Sequence, residues 1–210
     1  MVHNHVARSG ETAILGGPRS DMSRPAVFLD RDGTLIEDVG YVDRLERLLF
    51  YPWSLEAVRL LRRAGFAVVV VTNQAGVARG FVREQTVIDV FEEIQARLAA
   101  VGEQLDGHYY CPHLADAPVE AYRRECSCHK PRPGMVEQAV AALDLDLSRS
   151  YVIGDRWTDI QLARSVGAKA ILVKTGYGVT QLDDSPPGEV PSAVFGNLLE
   201  AVGWVLSEPV

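Results

Sequence analysis

At 210 residues the chain suits one domain with a sizeable core, and 47% hydrophobic with 23% charged residues is ordinary for a globular protein. A formal charge of -7 with scattered Lys and Arg argues against a nucleic-acid surface. No apolar run approaches the roughly 20 residues that a bilayer crossing requires, and no export-type apolar stretch opens the chain, so a cytoplasmic protein without a membrane partner is expected.

Residues 1–24, with Gly10 and Gly16-Gly17-Pro18 and no sustained periodicity, read as a flexible leader to a single domain spanning 25–210. Residues 26–30 form a first strand whose four consecutive apolar residues suit a sheet covered on both faces. Residues 53–64 are amphipathic, with Leu55, Val58 and Leu61 on one face, and Gly65 ends the helix. A valine run at 67–72 is the second strand, and 83–101 a helix with Val87, Val90, Phe91, Ile94 and Leu98 on one side. A short strand at 107–111 leads into a cysteine-rich segment, and Pro133 sits at the first turn of a helix running to about Leu143. Strand 151–154, helix 160–166 and strand 170–174 follow. Residues 177–191 read as a mobile connection and 193–206 as a closing helix. Alternation of this kind, with valine-rich strands, means an α/β fold: a doubly wound parallel sheet.

The chemistry is concentrated where strands end. Asp30-Arg31-Asp32-Gly33 places two carboxylates one residue apart at the end of the first strand, where ligands of such sheets lie. Two acids held there repel unless a cation or a proton intervenes, which points to a hard divalent ion and phosphate chemistry. Asp-x-Asp-Gly also suits a plain turn. An EF-hand loop is excluded, because Thr34 and Tyr41 stand where it needs an acid or amide and a Glu. The second strand ends on Thr72-Asn73-Gln74, a hydroxyl and two amides that could bind phosphate or simply cap a helix. Lys130, among Pro131 and Pro133, could neutralise phosphate charge or be a surface lysine. Asp155 ends the fourth strand as Asp30 ends the first, and Asp159 follows at a helix start, where it could be only a cap.

Taken together, Asp30-x-Asp32, Thr72, Lys130 and Asp155/Asp159 resemble the four motifs of the haloacid dehalogenase (HAD) phosphatase superfamily. The resemblance implies that Asp30 is the nucleophile, forming an aspartyl-phosphate, and that Asp32 is the general acid and then the base. It implies that Thr72 and Lys130 hold the phosphoryl group. Mg2+ would be bound by Asp30, the main-chain carbonyl of Asp32 and Asp155, with Asp159 and Arg156 supporting.

Cys111-Pro112-His113 and Cys126-Ser127-Cys128 supply three thiols and an imidazole, a donor set that suits a closed tetrahedral Zn2+ site. The competing reading is four residues close in sequence that are merely buried. An odd cysteine count is poor evidence for a disulfide scaffold, and a loop without its own core needs a staple, here at 111–128. In a chain with little room for a cap domain, this loop is similar to that of the D,D-heptose 1,7-bisphosphate phosphatases, as are Gly40-Tyr41-Val42, Gly76-Val77-Ala78-Arg79-Gly80 and Lys130-Pro131-x-Pro133-Gly134-Met135. That likeness implies a monomeric, capless enzyme acting on a small phosphorylated sugar. Its reaction would remove the C7 phosphate in nucleotide-activated heptose and lipopolysaccharide biosynthesis, with Asn73, Gln74, Arg79 and His129 near the substrate. Histidinol-phosphate phosphatases share the motifs, and a non-catalytic phosphate-binding module is the alternative from another class. Two departures are visible: His129 stands where the family commonly has Arg, and Arg156 where it commonly has Lys.

Overall fold

The computed structural model describes residues 23–208, so residues 1–22 of the expected leader lie outside the described residues. Arg24, the last residue of the expected leader, already contacts the fold. It bridges to Leu145 in a parallel sense and donates from its Nη2 to Asp106 Oδ1 at 2.6 Å.

Six parallel strands make one sheet: β1 (Ala26–Leu29), β2 (Ala67–Asn73), β3 (Gly107–Cys111), β4 (Tyr151–Gly154), β5 (Lys169–Val173) and β6 (Ala193–Phe195), in the order β3-β2-β1-β4-β5-β6. The helices are α1 (Ser54–Arg63), α2 (Ala75–Ala78), α3 (Glu84–Ala99), α4 (Gly134–Leu143), α5 (Trp157–Val166), α6 (Gly178–Asp183) and α7 (Leu198–Ser207). Because strand side chains alternate in direction, each strand feeds two cores. Val27, Leu29, Val68, Val70 and Ile153 pack on one face with α1, α3 and α7, whereas Phe28, Val69, Val71 and Val152 pack on the other with α4 and α5. All four β1 residues are fully buried, which is why the run is apolar without alternation. Each of the buried valines of β2 contributes roughly 1.5–3 kcal/mol by leaving water.

Chain order reverses between β1 and β4, which makes the crevice beyond their carboxyl ends the ligand position of a doubly wound sheet. Between β1 and β2 the described residues hold turns, helices and isolated bridges, Ile36 with Phe50 among them, and between β2 and β3 only turns and helices, which leaves little room for a cap domain. From Pro112 to Pro133 the chain forms no strand and only one short helical turn, at Glu120–Tyr122.

Several expected boundaries are corrected. The 193–206 segment is a strand, β6, followed by α7, and the connection at 177–191 contains α6. α5 begins at Trp157 and not at Ile160, so Asp159 lies inside its first turn. β5 is shifted one residue towards the N-terminus of the chain.

Candidate active site

The β1–β4 register brings Asp30 and Asp155 together. Asp30 N–H donates to Ile153 O at 2.9 Å, so the residues that follow the two paired strands face one another. Asp30, Asp155 and Asp159 are all buried, and each offers a carboxylate oxygen within 4.8 Å of the others'. Such closeness requires small neighbours: a Cβ on Gly33 or Gly176 would collide with Asp155 Oδ2, and one on Gly154 with Asp159. Gly33 also adopts φ +83°, which side chains rarely tolerate. Gly33 O is held by Thr175 Oγ1 at 2.5 Å.

One cation lies within the cluster. Lys130, buried to 3% exposure, places Nζ 2.9 Å from Asp30 Oδ1 and 2.6 Å from Asp159 Oδ1, and donates to Val71 O at 2.9 Å. Burial pulls its ammonium pKa down, yet the carboxylates of Asp159 and Asp30 outweigh that and raise it. Asn73 fixes this lysine from behind. Its Oδ1 accepts from Lys130 N at 2.9 Å and its Nδ2 donates to Lys130 O at 3.1 Å, so its amide is spent on the lysine backbone.

Asp159 uses its second oxygen on Arg156 N at 3.2 Å. Burial pushes its carboxyl up to about 6, against the pull of Lys130. Asp155 is less well satisfied: Oδ2 accepts from Tyr177 N at 2.8 Å, while the buried Oδ1 has no partner. Burial first, then the charges of Asp30 and Asp159, push its carboxyl up to about 8. An orphaned carboxylate oxygen among hard oxygen donors fits Mg2+. Asp30 and Asp155 could hold such an ion, whereas Asp159 has both oxygens committed.

Asp32 points elsewhere. Its carboxylate accepts from Arg31 Nε and Nη2, each at 3.1 Å, and from Gln74 Nε2 at 2.9 Å. Gln74 Nε2 also donates to Thr72 Oγ1 at 2.9 Å, and Gln74 Oε1 accepts from Arg31 Nη2 at 2.8 Å. Arg31, only 2% exposed, was not among the sequence-derived site residues.

Above these groups opens a cleft of about 450 Å³ lined by Asp30, Asp32, Thr72, Lys130 and, at its rim, Tyr41, Arg79, His129 and Arg156. Arg79 Nη1 donates to Tyr41 OH at 2.6 Å. Arg156 pairs with Asp38 at 3.3 Å and stacks over Tyr177 at 4.0 Å, which makes it a strut across the rim. Burial lowers the pKa of His129, whose Nδ1 is 3.7 Å from Cys111 Sγ.

The second cluster ends at Cys128, two residues before Lys130. One donor atom from each of Cys111, His113, Cys126 and Cys128 falls within 4.8 Å of the rest, with sulfur separations of 3.0 to 3.5 Å. His113 presents Nδ1, 3.3 Å from Cys128 Sγ. The contact with Cys111 lowers the pKa of the Cys128 thiol, while the same contact and burial raise that of Cys111. Four convergent soft donors, one of them disposed to be a thiolate, fit Zn2+.

Comparison with known proteins agrees with this geometry. The profile of the HAD-hydrolase-like family matches residues 127–201. The chain is 44% identical over 160 residues to the D-glycero-beta-D-manno-heptose-1,7-bisphosphate 7-phosphatase of Yersinia pestis, covering 75% of this chain and 85% of that one. It is also 44% identical to the enzyme of the same name from Escherichia coli K12, with 75% and 83% covered. The chain belongs to this HAD phosphatase family. Among solved structures, the D,D-heptose 1,7-bisphosphate phosphatase of B. bronchiseptica, complexed with magnesium and phosphate, is 31% identical with a TM-score of 0.77, covering 88% of this chain and 99% of that one. Membership makes the protein a phosphoric monoester hydrolase with the parallel-sheet HAD core.

Proposed function

We propose that this HAD phosphatase removes the C7 phosphate of D-glycero-β-D-manno-heptose 1,7-bisphosphate, working in the cytoplasm as a single domain over residues 25–210. The observation that carries the reading is Asp30, lining an open cleft, paired with Lys130 at 2.9 Å and clustered with Asp155, whose Oδ1 has no partner, in a chain 44% identical to enzymes of that name.

The chemistry runs in two displacements. An Asp30 oxygen attacks phosphorus, the bond from phosphorus to the sugar oxygen breaks, and Asp32 gives its proton to that oxygen. Water then attacks the aspartyl-phosphate and loses a proton to Asp32. The bond from phosphorus to Asp30 breaks, so phosphate leaves and both acids are restored. Lys130 and Thr72 hold the phosphoryl oxygens in both steps, and Lys130 offsets the repulsion between Asp30 and the incoming dianion. Mg2+, which Asp30 and Asp155 would hold with the main-chain carbonyl of Asp32, would screen that repulsion further when bound.

Zn2+ on Cys111, His113, Cys126 and Cys128 serves structure in this reading. When bound there it would add folding energy to the 112–133 segment, which has no strand of its own, and would fix the approach to His129 and Lys130. Arg79, His129 and Arg156 at the rim meet the sugar and its second phosphate.

A phosphate-release panel with Mg2+ present tests the proposal. Heptose 1,7-bisphosphate should give the highest kcat/KM, with the 1-phosphate left on the product. A clear preference for histidinol phosphate would overturn it.

A further inference from the structure

We infer that Arg31 and Gln74 are positioning residues that hold the Asp32 carboxylate for proton transfer and tie it to the phosphate-binding threonine. The inference rests on the two-step reaction proposed above, but not on the identity of the sugar.

Arg31 is a full-length cation at 2% exposure, placed between two reacting carboxylates in sequence. Its guanidinium meets Asp32 as a fork, with Nη2 also 2.9 Å from Oδ2, and lies 5.6 Å from the centre of the Phe91 ring. Nη1 has no partner. Asp32 and Gln74 are the polar groups this guanidinium meets. A buried ion pair seldom stabilises a fold more than an apolar side chain of equal volume, so stability alone is a poor account of Arg31. What the fork does supply is geometry: two parallel N–H···O contacts fix the plane of a carboxylate as one contact cannot.

Gln74 completes the arrangement. Its Nε2 is shared between Asp32 Oδ2 and Thr72 Oγ1, and its Oε1 rests on Arg31. Asp32, Arg31 and Gln74 close a ring of contacts, and Gln74 extends it to Thr72 at the phosphoryl site. Asp32 still lines the cleft with 16% of its side chain exposed, so it can reach a bound ester while tethered. A proton shuttle displaced by about 1 Å loses a large part of its rate, which makes such a tether consequential.

The consequence is selective. An alkyl leaving oxygen needs the Asp32 proton, whereas 4-nitrophenolate leaves without one. The test compares Arg31→Met, Arg31→Lys and Gln74→Leu on an alkyl phosphate such as a sugar phosphate and on 4-nitrophenyl phosphate, by rapid quench and stopped flow. Arg31→Met should form the phosphoenzyme from the alkyl ester at least about 10-fold more slowly, with the nitrophenolate burst within about 3-fold of the parent rate. Arg31→Lys, which keeps the charge but not the fork, should fall between. Gln74→Leu also frees Thr72, so it should slow both esters, with the larger loss on the alkyl ester, and Arg31→Lys carries the test should Arg31→Met fail to fold. Equal losses on both esters, or no loss on either, would overturn the inference. A preference for another phosphorylated alcohol would overturn the proposed substrate and leave the inference standing.

Discussion

The carboxylate cluster and the thiol cluster are neighbours in space, yet they are held together in opposite ways. Asp30 and Asp155 come from distant parts of the chain and meet because β1 and β4 pair in a buried sheet. Glycines at 33, 154 and 176 leave room for them. Cys111, His113, Cys126 and Cys128 come from one local stretch, and apart from Cys111 at the end of β3 they sit in chain with no strand of its own. The first site is imposed by the fold against the repulsion of its own members. The second can impose order only through what its donors share. Lys130 links them, two residues after Cys128, clamped by Asn73 at its backbone and by Asp30 and Asp159 at its tip.

The contrast is broken most forcefully at Asp155. Its carboxylate is buried with an unpartnered oxygen beside two other acids, a cost to the metal-free fold that the proposed role in catalysis would explain. Asp155→Asn should cut turnover by at least about 100-fold while raising the melting temperature in metal-free buffer, read by activity assay and calorimetry. A lower melting temperature would show that the acid cluster stabilises the apo fold.

Metal removal separates the two regions next. Stripping zinc with a strong chelator should abolish hydrogen-exchange protection over residues 112–128 and reduce kcat about 10-fold through Lys130. The strands should keep their protection. Removing magnesium alone should stop turnover reversibly and leave exchange over the sheet unchanged. Full activity in protein verified to be zinc-free would separate the loop from the chemistry.

A smaller effect tests the room left for the acids. Gly33→Ala forces a Cβ at φ +83° against Asp155 and should cost about 1–3 kcal/mol, with weaker magnesium binding. Isothermal titration and denaturant melts would check both. The control lies far from either cluster. Asn197 caps α7 by accepting from Glu200 N at 3.1 Å, so Asn197→Ala should cost about 1 kcal/mol in a melt and leave kcat unchanged.

How far the molecule was legible in its sequence follows the same division. β1, β2 and β4 announced themselves as apolar runs ending on polar residues, because strands buried on both faces tolerate little else. Asp30, Thr72 and Asp155 stood out for the same reason, at places where a run stops, and Lys130 stood out by the prolines that follow it just before a helix start. β6 was hidden because Ala193, Val194 and Phe195 merge with the apolar face of α7, and three residues carry no period. α6 was hidden by its short length and by Pro186 and Pro187 nearby. The role of Arg31 was missed because the middle residue of Asp-x-Asp reads as a spacer. The available signal was a cation at the end of a strand with no exposed face. Asn73 and Gln74 were legible as polar groups at the right strand end, but not as a clamp on Lys130 and a tether on Asp32, since those partners come from elsewhere in the chain.

The central claim is that Asp30 takes the phosphoryl group onto its own carboxylate. Acid quench of the enzyme during turnover, followed by proteolysis and mass spectrometry, tests it most directly. The account predicts one phosphoryl group on the peptide carrying Asp30, absent from Asp30→Asn. A phosphoryl group on another residue, or turnover that survives Asp30→Asn, would contradict it.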